Sequence, residues 1–215
     1  MTGGWGAVLA PGAGAGRDQS ALVAIDQAVT ALGGVARRFD FPYRLAGRRA
    51  PDRPKVLVAT VKEEATALAA GAGLGPQRIF AGGRSMGGRM CSMAVAEGMP
   101  CAGLVLVSYP LHPPGRPQDL RTAHFPALAV PCLFVSGSRD AFASPAELEA
   151  EASAIPGPVT FAWVDGADHG MRGRDGAVAT AVRAWLEHQL PLLPTWRPSC
   201  AIWHRPGEPP VHDLL

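Results

Sequence analysis

Lysine is almost missing from this sequence: of 20 basic residues, Lys55 and Lys62 are the only lysines. Arginine carries the rest, so an arginine is no functional signal by its type alone. Cysteine is sparse as well. Cys91, Cys101, Cys132 and Cys200 form no C-x-x-C pair, which excludes zinc-ribbon and thioredoxin-like spacings. Cys91 and Cys132 fall in expected helix or strand, where small buried thiols are common, and a reducing, cytoplasmic setting is the expectation. The opening Met1-Thr2-Gly3-Gly4-Trp5 has no basic run, and Pro11 with its glycines breaks the apolar stretch that ends at Ala10. Neither a signal peptide nor a membrane span is expected. Charge of one sign is not in excess either: a formal net charge of +2 aims no broad field at nucleic acid or membrane. His112, His124, His188, His204 and His212 fall in no H-x-H or H-E-x-x-H pattern, so no metal site is expected. Gly12-x-Gly14-x-Gly16 misses the dinucleotide fingerprint because Arg17 stands where the last glycine belongs, and no cofactor is expected.

What is abundant is glycine and proline, 26 and 21 of 215 residues, beside 47% apolar residues. That combination describes a globular chain with many turns, sized for one domain with a substantial core. Apolar runs at Trp5–Ala10, Val35–Phe41, Ile79–Ala81, Leu104–Ser108, Cys132–Val135 and Val159–Val164 read as strands. Between them lie helical patterns. One follows Asp18 or Ser20 as cap and buries Leu22, Val23, Ile25, Val29 and Leu32; one starts at Pro54 and stops between Gly71 and Pro76. Others span Met86–Glu97, Pro145–Ile155 behind a Ser144 cap, and Val178–Leu190. Residues 44–54 read as a polar loop, and the Pro-rich segment Tyr109–Ala129 holds at most one helical turn. The alternation predicts an α/β fold with a minimal, mostly parallel sheet of about six strands and helices on both faces. Residues 1–190 form the expected domain, and 191–215 an irregular tail with Trp196 and Trp203.

One stretch organises the rest. Gly83-x-Ser85-x-Gly87 lies between the strand ending at Ala81 and the helix starting at Met86, the strand–turn–helix context of a nucleophile elbow. The other reading is a plain glycine-rich turn. In a parallel sheet the loops after the strand ends line the ligand crevice, and such loops also carry Asp140 and His169. The order Ser85, Asp140, His169 is that of a hydrolase triad. A serine hydroxyl needs an imidazole to take its proton, and the imidazole needs a carboxylate to fix its tautomer. Asp165 is a substitute acid, and Asp168, adjacent to His169, is read as structural. Oxyanion donors are expected from the N–H of Met86 and from the first loop; Pro11 has no N–H, which leaves Ala13 or Gly12, with Ala13 preferred. Arg84 and Arg89 flank the serine; each is a candidate partner for an acid, and Arg84 also for a substrate anion. With so little chain between the fourth and fifth strands, no helical cap is expected. Tyr109, His112 and Phe125 are the candidate walls of a shallow pocket.

Together, Gly82-Gly83-Arg84-Ser85-Met86-Gly87-Gly88-Arg89, Pro11-Gly12-Ala13-Gly14, Ser136-Gly137-Ser138-Arg139-Asp140 and Gly166-Ala167-Asp168-His169 resemble a small α/β-hydrolase branch over about residues 5–190. That branch is related to dienelactone hydrolases and includes testis-expressed hydrolase-like proteins. The resemblance implies the α/β-hydrolase fold and the triad Ser85, Asp140 and His169, but no particular substrate. Two departures stand out: Pro11-Gly12 replaces the His-Gly usual in the family, and the antiparallel strands that usually precede the first strand are missing. The expectation is a serine hydrolase acting on a small ester, thioester or amide through an acyl-enzyme, with no nucleic-acid or membrane partner. The alternative is a non-catalytic scaffold or regulatory binding protein that keeps the fold; the complete set of triad residues argues for the enzyme.

Overall fold

A computed structural model describes residues 4–194, so most of the expected tail, both its tryptophans included, lies outside the described residues. The chain runs β1 (Gly6–Ala10), α1 (Ser20–Ala31), β2 (Val35–Arg38), a single turn α2 (Pro42–Leu45) and α3 (Pro54–Ala72). It continues through β3 (Ile79–Arg84), α4 (Met86–Ala96), β4 (Gly103–Val107), β5 (Cys132–Gly137), α5 (Pro145–Ala152), β6 (Val159–Val164) and α6 (Asp175–Gln189). All six strands are parallel, in the order β2-β1-β3-β4-β5-β6.

The central strands are buried along their whole length except for the half-buried Arg84 that ends β3, whereas edge strand β2 alternates exposed and half-buried residues. This is the difference between a strand covered on two faces and one at a sheet margin. Strand β3 extends three residues past the apolar run Ile79–Ala81 because Gly82, Gly83 and Arg84 pair with Val105, Leu106 and Val107 of β4. Backbone pairing continues there without side-chain help. Helices α1 and α6 pack on one face over Leu9, Phe80, Val105 and Val135. Helices α3, α4 and α5 cover the other over Val8, Ala81, Leu106 and Phe134. Among the described residues no helix is long and apolar enough to cross a membrane.

Local signals held where a backbone need and a side chain coincide. Ser144 accepts the Glu147 N–H at 3.4 Å while Glu147 accepts the Ser144 N–H at 3.0 Å, a reciprocal cap on α5. Helix α3 starts at Pro54 and ends on Gly73 in the left-handed conformation, φ 62°. The expected cap of α1 is corrected: Gln19 occupies that position without a side-chain cap. Asp18 instead accepts from Arg38 at 3.0 Å, and Ser20, the first helical residue, donates to Asp175 at 3.2 Å. The loop expected from 44 onwards is preceded by the turn α2, which buries Tyr43.

The sheet order places the crevice. From β1 the chain moves through α1 on one face to β2 on one side. It then moves through α3 on the other face to β3 on the opposite side. The loops leaving β1 and β3 therefore diverge, and ligands bind outside the strand ends at such a switch point. Those are the Pro11–Gly16 loop and the turn at Ser85.

Candidate active site

Ser85 stands between β3 and α4 with φ 51° and ψ −116°, a region that ordinary residues avoid and that persists only when the surroundings enforce it. The surroundings are backbone. A Cβ on Gly83 would strike the carbonyl of Ala10 and the backbone of Gly87, and one on Gly87 would strike the backbone of Ala10 and Pro11. Glycine is required at both because helix α4 starts flush against the end of β1. The Ser85 N–H donates to Val107 O at 2.8 Å, tying the turn to β4. Serine at a helix N-cap ordinarily bonds back to the helix. Here the Ser85 side chain makes no cap, and its Oγ lies 2.9 Å from His169 Nε2.

His169 Nδ1 faces both oxygens of Asp140, at 2.8 and 3.0 Å. The Asp140 side chain is fully buried and the His169 side chain 19% exposed. Asp140 Oδ1 also accepts the Phe142 N–H at 2.8 Å, which fixes the carboxylate in the turn after β5. With Nδ1–H donated to this carboxylate, Nε2 is the acceptor facing the serine hydroxyl. The imidazole is held on two more sides. The Phe142 ring stacks on it with centroids 3.9 Å apart, and Arg84 donates to the His169 carbonyl at 2.5 Å. Burial lowers the pKa of Arg84 from arginine's ordinary value, while Asp140, Asp175 and Asp168 raise it in opposition. Arg84 thus ties the end of β3 to the histidine loop while also lining the cleft over Ser85.

The other acids are elsewhere. Asp165 is exposed and accepts from Ser138 Oγ at 3.1 Å, and Asp168 accepts the Gly170 N–H at 2.8 Å in its own loop. Only Asp140 meets the imidazole among the three.

Donors for a developing oxyanion are present at two points. Met86 is the first residue of α4, where backbone N–H groups lack helical acceptors and the helix dipole favours negative charge. In the first loop, Gly12 is corrected as a candidate: its N–H is donated to Gln19 Oε1 at 2.9 Å. The Gly14 N–H is likewise given to Tyr43 Oη at 2.9 Å. Ala13 remains, and it lines the same cleft as Ser85 and Met86. Pro11 is accommodated because Gln19 and Tyr43 hold the loop from either side of Ala13.

The cleft over Ser85 has a volume of about 460 Å³, and its walls include Pro110, Arg121 and Phe142. The expected walls are corrected. Tyr109 and Phe125 are completely buried in the core between α4 and β5, with the Tyr109 hydroxyl donating to Arg121 O at 2.8 Å. His112 is also buried; its Nε2 points towards Glu147 of α5 at 3.6 Å. These three support the loop that carries the wall and do not form it. Phe142, Gln19 and Arg121 were not singled out by sequence. Only Phe142 had a local hint, two residues beyond Asp140.

A parallel sheet with this switch point, an elbow serine and a serine–histidine–aspartate chain together define the α/β-hydrolase class. Residues 6–188 match the alpha/beta hydrolase domain family, and the chain belongs to it. Its fold is similar to that of an alpha-beta serine hydrolase homologue from Coxiella burnetii (20% identity, TM-score 0.70, 85% of each chain covered). It is also similar to a dienelactone hydrolase from Anabaena variabilis (18% identity, TM-score 0.71, 86% of each chain). A third similar structure is Est1E from Butyrivibrio proteoclasticus with ferulic acid bound (14% identity, TM-score 0.72, 87% of this chain and 90% of that one).

Proposed function

We propose that the protein is a serine hydrolase of carboxylesterase type, acting on a small ester, thioester or amide through an acyl-enzyme. The observation that carries this is the hydrogen-bonded sequence Ser85 Oγ, His169 Nε2, His169 Nδ1, Asp140, with contacts of 2.9 and 2.8 Å. In the reaction, Ser85 Oγ attacks the substrate carbonyl as His169 Nε2 takes its proton. The carbonyl oxygen, now negative, is placed to accept from the Met86 and Ala13 N–H groups. Collapse of the tetrahedral adduct breaks the bond to the alcohol, thiol or amine, which leaves with the proton from His169. Water then gives a proton to His169, attacks the acyl carbon and releases the acid, and the proton returns to Ser85. The Asp140 carboxylate, hydrogen-bonded to Nδ1, stabilises the imidazolium formed at each attack.

The resemblance of the elbow and acid loops favours the branch related to dienelactone hydrolases that includes testis-expressed hydrolase-like proteins. A cytoplasmic setting is part of the same reading, supported by the free thiols of Cys91, Cys101 and Cys132. A non-catalytic scaffold is the competing reading. A strained serine turned away from its capping role towards a half-buried, carboxylate-paired histidine has no use in a scaffold. A fluorophosphonate probe decides between them: wild-type protein becomes labelled, with the label mapped to Ser85, and Ser85→Ala does not. A folded wild type that stays unlabelled, or labelling that survives in Ser85→Ala, refutes the assignment.

A further inference from the structure

Several arginines on the outer surface have an acid of their own: Arg17 with Asp40, Arg38 with Asp18 and Asp26, Arg48 with Asp52 and Arg183 with Glu187. The cleft differs. Arg89 and Arg121 both line it beside Ser85, and among the described residues neither has a carboxylate within ion-pair distance. Arg89 lies one helical turn after the serine on α4, and its Nε is buried without a hydrogen-bond partner. Arg121 is fixed through its backbone, its N–H donating to Leu111 O and its carbonyl accepting from Tyr109 Oη, both at 2.8 Å. Among the described residues its side chain makes only a 3.5 Å hydrogen-bond contact, to Pro110 O. Burial lowers the pKa of Arg121, and Arg89 and then Arg116 lower it further, while Tyr109 and, least of all, Asp119 act in opposition. Two half-buried guanidiniums facing one space without an ion-paired acid cost stability through desolvation and mutual repulsion, and an anion between them relieves both.

We propose that Arg89 and Arg121 form an anion-binding subsite in the cleft, so that the substrate is an ester or thioester bearing an anionic oxygen group, carboxylate or phosphate, a short chain away from the scissile carbonyl. The proposal rests on the serine-hydrolase reading for its chemistry and on the two arginines alone for its specificity. Arg84 lines the same cleft, but one of its guanidinium nitrogens is already given to the His169 carbonyl, so the subsite is assigned to Arg89 and Arg121.

The test compares mono-4-nitrophenyl adipate with its neutral methyl ester, read as the ratio of kcat/KM values. The wild-type ratio is expected to exceed ten. Arg89→Gln and Arg121→Gln should each lower it about tenfold or more, the effect of one lost charge-assisted hydrogen bond, while Arg89→Lys keeps most of it and guards against a folding artefact. A wild-type ratio near one, or a ratio unchanged in both glutamine variants, overturns the proposal. Calorimetry on Ser85→Ala with adipate, methyl phosphate and dimethyl adipate needs no turnover. Tighter binding of either anion than of the neutral diester, lost in the glutamine variants, supports the subsite and identifies the group. Equal binding of all three overturns it. Failure of the hydrolase reading appears separately, as absent fluorophosphonate labelling and no turnover of either ester.

Discussion

Asp140→Asn is the sharpest test of the catalytic geometry. The carboxylate is fully buried and meets His169 Nδ1 at 2.8 Å, so an asparagine would sit in the same space with the same Phe142 contact and no charge. In the transition state the imidazole becomes a cation. A unit charge about 4 Å from a carboxylate, at the effective dielectric of a partly buried pair, gains roughly 4 kcal/mol. Removing it slows the chemical step by about a thousandfold. The asparagine amide also presents N–H to Nδ1 in one of its orientations, which favours the tautomer with Nε2 protonated and unable to take the serine proton. The assay is kcat for a 4-nitrophenyl ester, with thermal melting to show that the variant is folded. Asp165→Asn is the control, since that side chain is exposed and bonds only Ser138 in the described contacts; its activity should stay within a few-fold. A folded Asp140→Asn that loses less than tenfold, or an equal loss at Asp165, refutes the reasoning.

Two further outcomes are expected. His124, within 2.7 Å of Ser92 Oγ, has its pKa lowered from 6.5 to about 4 by burial and then by Arg89. The unfolded chain therefore takes up this proton before the folded one does, and the stability held above pH 6.5 declines as pH falls towards 4. Allowing for the partial exposure of the ring, the loss is on the order of 2 kcal/mol. Urea midpoints from pH 7 to pH 4 would show it, and a slope identical in His124→Gln would refute it. The second concerns acyl length. The cleft of about 460 Å³ is walled by Pro110, Arg121 and Phe142, and among the described residues no α-helix lies between β4 and β5 to cap it. A long acyl chain gains little of the ~0.8 kcal/mol per buried methylene. For nitrophenyl esters from acetate to decanoate, kcat/KM should stay flat or fall with length, and a steady rise to eight or ten carbons would contradict the structure.

The sequence by itself determined whatever is written in neighbouring residues. The six strands follow from apolar runs, and the reciprocal cap at Ser144 and Glu147 follows from a spacing of three residues. The elbow is legible because Gly83 and Gly87 have backbone within collision range and no other residue type satisfies that. The chain order of Ser85, Asp140 and His169, each just beyond a strand, was enough to nominate them, since parallel strands deliver all such loops to one edge. Direction within those loops was not legible. Tyr109 and Phe125 read as cleft walls, yet they turned inward because the space between α4 and β5 takes three aromatic rings with Phe134. Gly12 and Ala13 are neighbours with equivalent N–H groups, and only the arrival of Gln19 at one of them left the other for the cleft. Asp140, Asp165 and Asp168 are the same side chain on adjoining loops; the buried position beside the imidazole separated them. Arg89 and Arg121 look like any other arginine in an arginine-rich chain, and only the fold reveals that they share a cleft in which, among the described residues, neither has a carboxylate within ion-pair distance. Local periodicity records which face of an element is apolar, whereas the partners of a loop side chain are set by segments far away in the chain, which only the assembled sheet brings together.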